Sequence, residues 1–193
     1  MKNKVLISGL LLCMLTGYAE TMLAQTTPST QGKEFWVTLL QAGSPDGDPF
    51  EPYLAISTQK PCTVTVTNPR NNWTYTDDNG DTQIAIPANT WKELKIQDGD
   101  LQQWYSATTN AATNAGLKVT ATEEVSVFVA SRLEYSFDAS NILPTTALQS
   151  EYIVQDYPPY NHGGDSHGNF AILATGTNSD DKYTGEATSV DIT

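Results

Sequence analysis

Thr63-Val64-Thr65-Val66-Thr67 alternates apolar and polar β-branched residues without a break. Successive side chains of a strand point to opposite faces, so both valines line one face and the three threonines the other. This is the pattern of a strand half buried against a core and half in water. The same period of two recurs in Thr82-Gln-Ile-Ala-Ile86 and in Leu117-Lys-Val-Thr-Ala-Thr122. Phe35 to Leu40 and Val125 to Ala130 are apolar on both faces, as expected of central strands. Turn clusters separate the runs, among them Ser44-Pro-Asp-Gly-Asp-Pro49 and Asp77-Asp-Asn-Gly-Asp81. The second contains an Asn-Gly pair and predicts a hairpin. Gln102 to Asn114, rich in Ala, Thr and Asn, reads equally as a short helix or a polar loop.

From Phe35 to Arg132 there are about seven candidate strands, with turn signals at the spacing of a β-sandwich. The expected fold is therefore all-β, built of tandem sandwich units of Ig-like or jelly-roll-like type. A first unit covers residues 32–133, and a connector covers 134–168. A second unit begins in Asn169-Phe-Ala-Ile-Leu-Ala-Thr175 and runs to Ser189-Val-Asp-Ile-Thr193, in the order of the first. A β-propeller-like array of similar units is the architectural alternative. Thr193 falls inside a strand-like run, so the second unit is expected to be incomplete and the chain a fragment, with an unpaired edge.

The amino terminus indicates export. Met1-Lys-Asn-Lys4 is a basic n-region, and Val5 to Leu15 is apolar but too short to span a bilayer. Residues 1–24 read as a signal peptide, cleaved after Ala19 or after Ala24, and Cys13 as part of its apolar run. The full chain carries 10 basic and 22 acidic residues; removing Lys2, Lys4 and Glu20 leaves 8 and 21, a net charge of −13. Such a charge repels nucleic acid and anionic membranes and suits a secreted, extracellular or cell-surface protein. Only Cys62 remains after processing, so no internal disulfide forms. A buried small residue is the reading, with pairing to a cysteine beyond residue 193 as the alternative.

After the apolar run ending at Ala130 comes Tyr135-Ser-Phe-Asp-Ala-Ser-Asn-Ile-Leu-Pro144-Thr-Thr-Ala-Leu-Gln-Ser-Glu-Tyr-Ile-Val-Gln-Asp-Tyr-Pro158-Pro159. Proline disfavours helix in the residue before it, so Pro144 and the Pro158-Pro159 pair bracket an extended run. Ile142, Leu143, Leu148, Tyr152, Ile153 and Val154 are apolar enough to be expected to pack across a core. With Gly32-Lys-Glu-Phe-Trp-Val37, this block resembles the amino-terminal domain of the IgGFc-binding protein family, in particular its secreted, Bacteroidota-like branch. The resemblance covers the chain from about Gln31 onward. It implies an extracellular binding or adhesion module whose partner is a glycoprotein or glycan, such as immunoglobulin Fc or mucin. It carries over no site residue. The alternatives are a structural spacer in a larger surface protein and a carbohydrate-binding accessory of an enzyme.

Catalytic candidates are sparse, and the chain reads as a non-enzyme. His162-Gly-Gly-Asp-Ser-His167 offers two imidazoles and a carboxylate, but on a flexible Gly-Gly loop rather than one helical face. Ser166 lacks the Gly-x-Ser-x-Gly elbow. Asp77, Asn79 and Asp81 are spaced like the start of a calcium loop, yet Thr82 stands at the required glycine and no Glu closes it. No cofactor is expected; a non-EF calcium site there or at Asp46-Gly-Asp48 is the alternative to a plain turn. Aromatic residues in loops supply the binding hypothesis: Trp73 and Tyr75 near the hairpin, Trp104 and Tyr105 in the polar loop, Tyr157 and Tyr160 around the double proline. Rings exposed there stack on sugars or anchor a protein; the opposing reading is that they cover the core.

Overall fold

A computed structural model describes residues 29–40, 51–106, 113–132, 137–149, 151–153 and 171–174. The protein is all-β. The strands are β1 (Gly32–Val37), β2 (Leu39–Leu40), β3 (Glu51–Thr58), β4 (Cys62–Asn68), β5 (Trp73–Thr74), β6 (Ile84–Ile86), β7 (Thr90–Lys95), β8 (Tyr105–Ser106), β9 (Leu117–Arg132) and β10 (Phe137–Ile142). Eight of them form one curled antiparallel sheet, and β2 and β8 make a small parallel pair. No helix among the described residues is long and apolar enough to cross a membrane.

The 16-residue β9 organises the sheet. Its first half lies between β1 and β4, and its second half between β10 and β3. Between Gly32↔Val125 and Glu34↔Thr120, a single residue, Lys33, faces residues 121–124 of β9. On the other edge, between Thr58↔Val125 and Val64↔Ala121, residues 59–63 face only residues 122–124. A strand with a short inner edge and a long outer edge must turn a corner there. β6 passes to β7 through residues 87–89 at the same level, with Asn89 at a φ of 55°. Side chains satisfy the backbone groups that the corner releases. Thr122 Oγ1 accepts from the Thr63 N–H at 3.0 Å, Lys33 Nζ donates to Thr122 O at 2.8 Å, and Thr58 Oγ1 both donates to Lys60 O and accepts from Lys60 N–H.

The alternation survives the corner, so one face is the core throughout. Phe35, Val37, Leu54, Ile56, Val64, Val66, Ile84, Ile86, Leu94, Leu117, Val119, Val125 and Val127 are all buried on it, with Cys62. One end of this core is closed by Asn68. Its amide donates to Gln103 O, Gln103 Oε1 and Asn114 O, and its Oδ1 accepts from the N–H groups of Arg70 and Asn71.

Four expectations need correction. Phe35 to Leu40 is not one central strand: β1 pairs with β9 on one edge and has a single bridge, Phe35 to Pro144, on the other, and the chain breaks at Thr38, whose hydroxyl donates to Trp104 O. The Asn-Gly turn does not join two mutually paired strands. β5 and β6 both pair with β4, and residues 76–83 are an excursion between two pieces of one return strand. Residues 102–106 form the end of a 3-10 turn (Asp98–Gln103) and then β8. The apolar connector packs on the core only at Ile142, the end of β10, which pairs with β9; Leu143, Leu148, Tyr152 and Ile153 are exposed, and Val154 lies outside the described residues. Within 169–193 only 171–174 are described, without strand, and Leu173 lies over Gly116.

Candidate functional site

The outer face of the second half of the sheet carries large apolar side chains in water. Sheet parity puts them there. In β7, Leu94 points into the core, so Trp91, Glu93 and Lys95 point out; in β9, Val125, Val127 and Val129 point in, so Ser126, Phe128 and Ala130 point out. Trp91 is 63% exposed, Phe137 57% and Phe128 40%. Tyr53 on β3 shares the face but is covered. Arg132 lies over its ring at 5.4 Å, and Phe137 packs against it at a tilt, 6.4 Å between centroids. Between the large rings lie the small residues Ala55, Ser57, Ser126 and Ala139, with Ala130 buried beside Tyr53. At one margin Lys95 and Glu93 form an exposed ion pair at 3.7 Å.

The rings singled out from loop positions are placed otherwise. Trp73 is half-buried on β5 and meets Tyr75 edge-on, 6.5 Å between centroids. Tyr75 is a core side chain; burial pushes its phenol above the ordinary value, and the carboxylates of Asp78 and Asp77 add to that. Trp104 is fully buried, and its indole N–H has no hydrogen-bond partner among the described residues. Tyr105 contributes its backbone to β8 opposite Leu39. Tyr157 and Tyr160 lie outside the described residues, as do His162, His167 and Asp46 to Asp48. Tyr75 and Trp104 are core side chains, and Trp73 packs partly buried against the same core.

Asp77 is a turn former. Its carboxylate accepts from the N–H groups of Asn79 (2.9 Å) and Asp81 (3.0 Å), and Lys92 stands 3.6 Å away. The Asp81 N–H above all, then the Asn79 N–H and the Lys92 ammonium, hold this carboxyl below its ordinary value against an opposing effect of burial. Among the described residues no three His, Cys, Asp or Glu side chains gather as a metal-binding group. Two shallow grooves line the corner: one of about 280 Å³ beside Gly32 and Pro144, one of about 330 Å³ between Lys33 and Lys60. Both carry charges of both signs. Comparison with models of protein families, with curated proteins and with solved structures finds no match to this chain.

Proposed function

We propose that the chain is a secreted or cell-surface binding and adhesion module of the IgGFc-binding kind, which holds an extracellular glycoprotein or glycan on the outer face of β7, β3, β9 and β10. The observation that carries this reading is the joint exposure of Trp91, Phe128 and Phe137 on one rigid sheet face. A single exposed ring needs no explanation, but three on one face make the kind of patch that soluble domains keep for contact. The basic n-region and apolar run at the amino terminus support export. The family reading draws on its own two sequence blocks, which meet in space: Phe35 of the first forms a β-bridge with Pro144 of the second, and Pro144 packs on Gly32.

A structural spacer is the second reading, favoured by the edges of β7 and β10 that are unpaired among the described residues. A neighbouring β unit would seat there. Surface-binding measurements of the processed chain on immunoglobulin Fc, mucin and a glycan panel separate the two. Saturable binding that Trp91→Ala and Phe137→Ala weaken supports the adhesion module. Uniform failure by folded protein replaces it with the spacer.

A further inference from the structure

The pairing register fixes how the exposed rings are spaced. Trp91 lies in the row Trp91–Ser57–Ser126, Phe128 in the row Glu93–Ala55–Phe128–Asn141, and Phe137 opposite Arg132. With strands about 4.8 Å apart and about 6.8 Å for each two-residue step, Trp91 and Phe128 are roughly 12 Å apart, and Phe128 and Phe137 roughly 14 Å. The three rings follow a curved diagonal over four strands. The first gap is floored by Ala55 and Ser57; in the second, Ala139 is exposed, while Ala130 is buried beside Tyr53, over which Arg132 and Phe137 pack. Among the described residues, no large side chain stands in the first gap.

We infer that this face takes an uncharged polysaccharide chain, laid along that diagonal with its sugar rings over Trp91, Phe128 and Phe137. The inference rests on the binding reading above and names its ligand class. Pyranose rings present flat C–H faces that stack on aromatic side chains, while their rims present hydroxyls. The margin of the face suits those hydroxyls, with the Arg132 guanidinium as a fork of donors and the Lys95–Glu93 pair as donor and acceptor. The charge argues for a neutral chain. A protein with 22 acidic and 10 basic residues repels a polyanion, and this margin mixes signs instead of gathering cations.

Affinity gel electrophoresis of the processed chain through neutral polymers (β-glucan, galactomannan, amylopectin) and acidic ones (heparin, polygalacturonate) tests it. The expected result is retardation by at least one neutral polymer, insensitive to added NaCl, and weakened about tenfold or more by Trp91→Ala and by Phe137→Ala. Thr65→Ala, on the outer face of the other half of the sheet, should leave it unchanged. Retardation by acidic polymers alone, by none, or by neutral polymers with both ring variants as effective as the parent overturns the inference. Enzymatic deglycosylation of mucin or Fc separates it from the broader reading. Binding that survives deglycosylation yet falls with Trp91→Ala keeps the face and overturns the ligand class, whereas a folded chain that binds neither glycan nor glycoprotein overturns both.

Discussion

A side chain at Gly32 would have no room, because its first carbon would fall on the Pro144 ring. The strand opening at Gly32 can thus lie close enough for Phe35 to bridge Pro144 only while position 32 is bare. Gly32→Ala forces β1 away from the turn that begins at Pro144, an overpacking change expected to cost about 1–3 kcal/mol. Gly99 has open space around it, so Gly99→Ala is expected to shift stability by less than about 0.5 kcal/mol. Urea midpoints at constant m-value compare the two. Asn68 makes the complementary case of a buried polar residue. Its amide and carbonyl together serve five groups from three segments of chain. Asn68→Ala leaves the carbonyls of Gln103 and Asn114 and two N–H groups without this partner, for an expected loss of about 2–3 kcal/mol in the same assay. The bonds to the Arg70 and Asn71 N–H groups are a local turn of the kind an Asn can form, whereas those to Gln103 and Asn114 come from loops far along the chain, which no local pattern encodes.

Strands whose two faces differ chemically were legible from their spacing, and strands whose pairing depends on distant chain were not. Thr63 to Thr67 stands within β4 with its valines inside, and Val125 to Ala130 lies in the second half of β9, paired on both edges. Leu117 to Thr122 and Val125 to Ala130 read as two separate runs, whereas they belong to one strand, β9, which continues through Glu123 and Glu124 where it turns its corner. The excursion of residues 76–83 was misread for a related reason. An Asn-Gly turn reports a local reversal but not which strand the returning chain will meet. Inside that excursion Asp77 has a lowered pKa, which links its contribution to pH. Because the folded state holds the carboxylate more tightly than the unfolded chain does, that contribution is complete above the ordinary carboxylate pKa. It disappears as pH falls through the lowered folded value. Asp77→Asn lacks the charge at every pH. The parent is therefore expected to exceed this variant in stability near neutrality, with the gap closing on acidification. Urea midpoints across an acid series check it, and a gap constant with pH would reject the role given to the carboxylate.

For the molecule as a whole, the side on which each ring lies decides its role. Parity alone had the information: Ser126 and Phe128 alternate with three buried valines, and Trp91 lies three residues before a buried leucine. Loop position drew attention instead to Trp73, Tyr75 and Trp104, because exposure was inferred from turns and not from strand phase. Trp104→Ala opens a large cavity and is expected to cost about 3–5 kcal/mol, while Trp91→Ala should stay within about 0.5 kcal/mol; thermal unfolding of both tests the assignment of core and surface. Net charge acts at this scale too. Acidic residues outnumber basic ones 22 to 10, and three of the four ion pairs among the described residues join at least one well-exposed side chain. Salt weakens such pairs and the mutual repulsion of the acidic surface alike, but exposed pairs contribute little. The repulsion therefore dominates, and raising NaCl from about 10 to about 150 mM, which shortens the screening length from roughly 30 to roughly 8 Å, is expected to raise the urea midpoint. A fall would mean that the described pairs, Lys118–Glu34 at 3.0 Å foremost, outweigh the excess of negative charge.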